Sequence, residues 1–153
     1  MPWRVMDHER AKPWADQVER LRRGPVAGPF AWRTVREPMY IREYLVHHEN
    51  VRRANGLGPR NDVPELHLVA WQKATTVGRF ALKRASMRAD HGINIVRPDG
   101  EWFVAVSGAS MIEVHGEPIE LLLFALGRRA AAQVDLRGSD EAVATLLAGD
   151  WKV

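Results

Sequence analysis

The sequence predicts an α+β protein, with a partial helical bundle over residues 1–86 and a small α/β domain over residues 87–153. Apolar residues in the first half recur at helical spacing, whereas the second half contains short β-prone runs separated by turn residues. A chain of 153 residues with 46% hydrophobic content is long enough to build a hydrophobic core. The composition changes between about Met87 and Gly92, so we expect the domain boundary there.

The first predicted helix, PWADQVERLRR, begins at Pro13, a residue that is tolerated in a first helical turn. Trp14, Val18 and Leu21 fall on one face of this helix. Gly24 follows its last residue and cannot easily continue it. The spacing therefore predicts an amphipathic helix that ends before Gly24.

The second predicted helix runs from about Thr34 to Arg53. Thr34 and Glu37 have the spacing of a capping box, and the pair Asn55–Gly56 ends the helix. Glu49 and Arg53 lie four residues apart, and we expect them to pair on the side of the helix that faces solvent. A surface pair of this kind stabilises a helix by only about 0.2–0.5 kcal/mol.

The third predicted helix begins at a second capping arrangement, Asp62 and Glu65, and extends to about Arg84. Its apolar residues recur at helical spacing, which predicts one apolar stripe along the helix. The residues of this stripe are Leu66, Val69, Val77, Phe80 and Ala81.

The second half predicts the element order β-β-β-α-β-α. INIVR and EWFVAV flank the turn Pro98-Asp99-Gly100, and SMIEVH follows, so we expect these three strands to form a meander. Residues 117–126 form a short apolar helix, and AAQVDL is the fourth strand. Ser139 is expected to cap the last helix, which runs through Leu147.

The composition argues against several classes of function. The chain has no cysteine, so any metal must be held by His, Asp or Glu. No segment approaches the roughly 20 consecutive apolar residues that span a bilayer, and the N-terminus lacks the apolar core of a secretion signal, so we expect a cytoplasmic protein without membrane contact. The net charge of +3 is a weak bias, so nucleic-acid binding is not expected. Neither a GxSxG elbow nor a phosphate-binding glycine loop is present.

The candidate metal site lies in the stretch EYLVHHENVRR. Glu43 and His47 are four residues apart, so on a helix they project from one face and could bind one divalent ion, with zinc as the first choice. His48 points about 100° away from His47 and is not expected to share that ion. Catalytic zinc sites usually have three protein ligands, so another chain or His8 would have to supply the third. The alternative is that Glu43 and His47 form an ordinary surface pair.

Three pieces of sequence together resemble a known family: EYLVHHENVRRA, RPDGEWFVAVSG and HGEPIELLLFALGRRAAAQVDLRGSDEAVATLLA. They are similar to the later part of actinobacterial metal-binding proteins related to mycothiol-dependent maleylpyruvate isomerase, within the wider DinB-like group. The likeness runs from about Pro13 to Ala148. Its most specific pieces are the ExxxH motif with its following residues and the GEPxELLLFALGR block.

The resemblance implies a DinB-like four-helix bundle followed by a small α/β domain similar to sterol carrier proteins. It also implies that Glu43 and His47 match two of the family's three metal ligands, and that the open metal position binds and activates a thiol such as mycothiol. Family members carry about 60 further residues before the matching region, so we expect the first two bundle helices, including the one that bears the first histidine ligand, to be missing.

The resemblance leads to two functional hypotheses. We expect a dimerising or partner-binding remnant of the family with an incomplete metal site, in which a second copy or another protein covers the apolar face of the helices. That face consists of Val18, Leu21, Ile41 and Leu45. The alternative is an active, metal-dependent thiol transferase or isomerase whose third metal ligand comes from another chain.

Overall fold

The structure, a computed structural model, describes residues 13–23, 33–86 and 91–149. It is a mixed α+β protein with a four-stranded sheet, which confirms the predicted fold class. In chain order the elements are α1 (Trp14–Arg23), α2 (Arg33–Ala54), α3 (Pro64–Lys73), a π-helical turn (Ala74–Gly78), α4 (Arg79–Ala85), β1 (His91–Val96), β2 (Trp102–Val106), β3 (Ser110–His115), α5 (Pro118–Ala125), β4 (Asp135–Arg137) and α6 (Asp140–Ala148).

The chain divides into two compact units, Met1–Leu45 and Val46–Val153, and residues of α2 belong to both. The boundary predicted at residues 86 and 87 falls inside the second unit. There, the helical segment from α3 to α4 shares one hydrophobic core with the sheet, because Trp71 and Leu82 pack in the same cluster as Ile93.

Helix α1 has the predicted extent, and Arg23 Nε pairs with Glu19 Oε1 at 3.0 Å across one turn. Trp14 is nevertheless exposed and Val18 is only half-buried. The side chains of Leu21 and Ile41, together with the predicted capping box at Thr34, lie outside the described residues. The proposed cover for this apolar face therefore stays a prediction.

Helix α2 ends where the sequence predicts. Gly56 has a φ of 73°, in the left-handed region that favours glycine after a helix. The capping arrangement predicted at Asp62 and Glu65 is wrong. Val63 precedes α3 without any side-chain cap, and Pro64, which has no backbone N–H to satisfy, occupies the start of the helix.

The π-helical turn between α3 and α4 breaks the apolar stripe predicted for this segment. A π turn holds more residues than an α turn, so the side chains that follow it are rotated about the helix axis. Phe80 is 71% exposed as a result, whereas Leu82 is fully buried. Gly78, at the end of the turn, lies so close to α5 that an added Cβ would sit 3.2 Å from Cβ of Ala125.

The sheet has the strand order β2-β1-β3-β4, so the predicted meander is wrong. The β1–β2 hairpin forms as expected, with antiparallel pairing of Ile95 with Phe103. β3 then pairs in parallel with β1, on the side away from β2, with Ile93 opposite Ile112. The strands were predicted correctly but not their neighbours, because a third strand can add to either edge of a hairpin.

The connection from β2 to β3 crosses the N-terminal end of β1 at two glycines. An added Cβ on Gly108 would collide with backbone atoms of His91 and Gly92. An added Cβ on Gly92 would meet the side chain of Met111 and lie 2.9 Å from the nitrogen of Gly108. Only residues without a side chain allow the two backbones to pass this closely.

One face of the sheet packs against the helices of the second unit. Residues of α5 are buried along its whole length, and Ile95, Ile112 and Val114 of the sheet are buried in the same core. β4 pairs antiparallel with β3 and is shorter than the predicted AAQVDL strand. Ser139 caps α6 as predicted, since its side chain accepts a hydrogen bond from Ala142 N at 3.3 Å.

Candidate functional site

The two predicted metal ligands, Glu43 and His47, both lie in α2, one helical turn apart. Glu43 belongs to the first unit and is half-buried, and His47 belongs to the second and is exposed. Over residues 13–23, 33–86 and 91–149, no three His, Asp or Glu side chains are grouped so as to hold a metal ion. His8, the third ligand considered within the chain, lies outside the described residues. The metal site therefore remains a prediction.

The structure brings together a set of charged side chains that the sequence does not group. At its centre is Glu49, which has 0% exposure, so the prediction that Glu49 and Arg53 pair on the solvent side is wrong. The set is called the Glu49 cluster below. It consists of Glu49, Arg52 and Arg53 of α2, Arg60 of the loop after α2, and Glu120 of α5.

Three guanidinium groups surround the Glu49 carboxylate. Arg60 Nη2 lies 3.1 Å from Oε1, and Arg52 Nε lies 3.6 Å from the same oxygen. Arg53 Nη2 lies 3.6 Å from Oε2. A carboxylate removed from water is strongly unfavourable unless opposite charges compensate for its lost hydration. The three arginines supply this compensation.

Arg53 also connects α2 to α5 and to the segment after it. Its Nη2 contacts Glu120 Oε1, and its Nη1 donates a 2.6 Å hydrogen bond to the carbonyl oxygen of Ala131. The second oxygen of Glu120 accepts a 2.7 Å hydrogen bond from Gln133 N. These contacts anchor the end of α2 to two other segments of the second unit.

Arg60 is fixed through both its side chain and its backbone. Its guanidinium contacts Nδ1 of His48, in addition to Glu49. Its carbonyl oxygen lies 2.7 Å from Nε2 of His67 in α3, and Nδ1 of that ring lies 3.3 Å from Glu117 Oε2. The loop between α2 and α3 is thus tied to the residue that precedes α5.

A second polar group joins α3 to the β1–β2 hairpin. Trp71 Nε1 donates a 2.9 Å hydrogen bond to Glu101 Oε1, and the Arg97 guanidinium lies 5.2 Å from the centre of the Trp71 ring. Arg97 also pairs with Asp99 at 2.8 Å. Phe103 packs edge-on against Trp71 at 5.2 Å. These contacts fix the hairpin against the helix.

The first residue of β1, His91, is buried, and burial lowers the pKa of its imidazole below 6.5. Its Nε2 is shielded from solvent and makes no hydrogen bond. The sequence gave no reason to separate His91 from the other histidines. His115, by contrast, is half-buried on β3 and lies 2.8 Å from Glu113 Oε2 through its Nε2.

One face of α2 is exposed, opposite to the Glu49 cluster. Its residues follow helical spacing, and they are Tyr44, His47, His48 and Val51. Val51 is 62% exposed, whereas Val46 and Glu49 on the other side of the helix are buried. Two imidazoles therefore lie on a surface with an apolar residue at each end.

A single sequence signal could have revealed the Glu49 cluster. Glu120 is the only charged residue in PIELLLFA, and an acid within such an apolar helix is expected to be buried and paired. No comparable signal marks Glu49, because its neighbours in α2 are polar and charged. Long-range packing decides which side of that helix is buried.

Taken together, fold and site define a mixed α+β protein with a four-stranded sheet and a buried ionic cluster. No membrane-spanning candidate occurs among the helices described here, since none is both long and apolar enough. Comparison of the chain with protein-family models, curated proteins and solved structures finds no match. The family assignment therefore remains a proposal.

Proposed function

We propose that the chain is a dimerising or partner-binding remnant of the mycothiol-dependent, DinB-like metalloprotein family, with Glu43 and His47 as an incomplete metal site. The sequence resemblance supports the family, and with it a partial DinB-like bundle and a sterol-carrier-like α/β domain. The order of helices followed by a sheet is compatible with both parts. Zinc is the proposed metal, and a small thiol such as mycothiol is the proposed co-substrate of the family's chemistry.

The observation that carries the binding function is the exposed face of α2. Tyr44 and Val51 expose apolar surface on either side of His47 and His48. The opposite side of the same helix is held by the Glu49 cluster. A supported helix with exposed apolar residues and imidazoles offers both the buried area and the metal donors that an interface with another chain needs.

A second copy of the chain is the partner that we propose. In a symmetric dimer the same surface occurs on both sides of the interface, so each ligand is present twice. Two copies of Glu43 and His47 would supply four donors, the number that zinc prefers. The incomplete site of one chain would in this way be completed without any additional histidine.

Light scattering on the purified chain tests the dimer. We expect a dimer in the wild type and a monomer for Val51→Lys, because a charge would be placed in the interface. Leu68→Lys is the matched control, since Leu68 is 59% exposed on α3 and Val51 is 62% exposed. A wild type that stays monomeric at high concentration, with and without zinc, contradicts the dimer.

Zinc titration by calorimetry tests the ligands. We expect about one zinc per dimer, with binding lost in Glu43→Ala and in His47→Ala. His115→Ala is the control, because His115 also lies next to a glutamate but on the sheet. Zinc uptake that is unchanged in the first two variants contradicts the ligand assignment. The alternative, an active thiol transferase or isomerase, is favoured if the zinc-loaded dimer consumes mycothiol.

A further inference from the structure

The ring of His67 lies between two hydrogen-bond acceptors. Its Nε2 is 2.7 Å from the carbonyl oxygen of Arg60, and its Nδ1 is 3.3 Å from Oε2 of Glu117. The ring is largely removed from solvent, with 15% of the side chain exposed. Bulk water therefore has little access with which to replace either contact.

The chemistry of imidazole makes this arrangement dependent on protonation. A neutral imidazole has one N–H donor and one nitrogen that can only accept. If the ring is neutral, one of its nitrogens must direct a lone pair at an oxygen of Arg60 or of Glu117. The imidazolium ion carries an N–H on both nitrogens, so only the charged ring can donate to both acceptors at once.

The charged groups around His67 favour the same form. Within the described part of the chain, Glu117 is the one carboxylate within 4.0 Å of the ring. The nearest cationic group with a defined partner, the Arg60 guanidinium, is directed to Glu49 and to Nδ1 of His48. Glu120 of the neighbouring helix pairs with Arg53.

Through Arg60, the state of His67 bears on the Glu49 cluster. The carbonyl that His67 contacts and the guanidinium that lies 3.1 Å from Glu49 Oε1 belong to the same residue. If the backbone contact is lost, the position of this guanidinium is less restricted. Glu49, which is fully buried, would then lose its closest cation.

We propose that His67 is a proton-dependent latch. As imidazolium, it ties the loop at residues 57–63 to the residue preceding α5, and loss of the proton releases this loop and opens the Glu49 cluster to water. The latch requires neither a metal nor a second chain, so it stands or falls separately from the function proposed above.

NMR on the wild-type chain tests the protonation state directly. At about pH 5.5 we expect long-range ¹H–¹⁵N spectra to show both ring nitrogens of His67 protonated, and at about pH 8.5 we expect one to be deprotonated. Amide exchange, corrected for intrinsic rates, should become about tenfold faster in residues 57–62 at the higher pH. A neutral ring at about pH 5.5, or loop protection that does not change with pH, overturns the proposal.

Two variants separate the latch from other effects of pH. His67→Gln and Glu117→Gln should each give, at about pH 5.5, the faster loop exchange that the wild type shows at about pH 8.5. His115→Gln is the control, because it removes a histidine that contacts a glutamate on the sheet, away from the loop. If all three variants exchange like the wild type, or if His115→Gln has the same effect as His67→Gln, the proposal is wrong.

Discussion

Arg60 Nη2 lies 3.1 Å from Oε1 of Glu49, and this contact joins the loop after α2 to a carboxylate that has no exposure to solvent. Arg53 extends the same cluster to Glu120 of α5. The charges come from α2, the following loop and α5, so they can only assemble when these segments pack together. The cluster therefore contributes to the specific arrangement of the second unit and not only to local helix stability.

Replacing Glu49 with glutamine should strongly destabilise the protein. The substitution leaves three buried or half-buried guanidinium groups without their shared anion. Breaking a buried ion pair on one side costs about 3–5 kcal/mol, which urea denaturation can measure as a loss in the free energy of unfolding. Arg137→Gln breaks the exposed pair with Asp135 and should cost less than about 1 kcal/mol. Equal effects of the two substitutions would contradict the role of the cluster.

Replacing Trp71 with phenylalanine should weaken the attachment of the β1–β2 hairpin. Phenylalanine keeps an aromatic ring but loses the 2.9 Å hydrogen bond to Glu101. It also presents a smaller ring to the Arg97 guanidinium. We expect a loss of about 1–3 kcal/mol in thermal or urea unfolding. Trp102→Phe is the control, because that tryptophan is exposed; a larger loss there would contradict the prediction.

Replacing Gly108 with alanine should disturb the crossing between β2 and β3. The new Cβ would collide with the backbone of His91 and Gly92, neither of which can move aside as a flexible side chain can. We expect a loss of more than about 2 kcal/mol in the free energy of unfolding. In Gly58→Ala the added Cβ meets no atom within 4 Å and should have little effect. Wild-type stability in Gly108→Ala would show that the crossing is less crowded than the structure indicates.

His91 should make the protein less stable in acid. Burial lowers its pKa in the folded state below 6.5, so the unfolded chain takes up a proton more readily than the folded chain. The free energy of unfolding should therefore be highest above pH 6.5 and fall as the pH decreases towards the folded-state pKa. Urea denaturation as a function of pH should show a smaller decrease in His91→Gln than in the wild type. The same decrease in both would assign the effect to other groups.

The sequence was sufficient for elements whose causes are local. Gly56 ends α2 and Ser139 caps α6, because each acts through the backbone of its immediate neighbours. The side on which α2 is buried was not predictable in this way. The spacing of Glu49 and Arg53 places both on one side of the helix, but Glu120, far along the chain, lies against that side and makes it the buried one.

Two further errors have the same origin. Helical spacing predicted Phe80 in the apolar stripe, but the π turn that rotates it away is located where α3 and α5 approach closely at Gly78. The strand periodicity of β1, β2 and β3 was recognised, whereas their lateral order depends on contacts between residues distant in sequence. Glu43 and His47 are placed on one helix by their spacing, and only a partner chain or a bound ion can establish what they bind.

The crossing at Gly92 and Gly108 also constrains the route by which the chain folds. The β1–β2 hairpin closes through a short local turn and can form early, whereas β3 reaches its place only after the chain has doubled back over the start of β1. Docking of the third strand is thus a late event that needs the hairpin as a template. The rate of refolding should be governed by this step and not by the formation of any single helix.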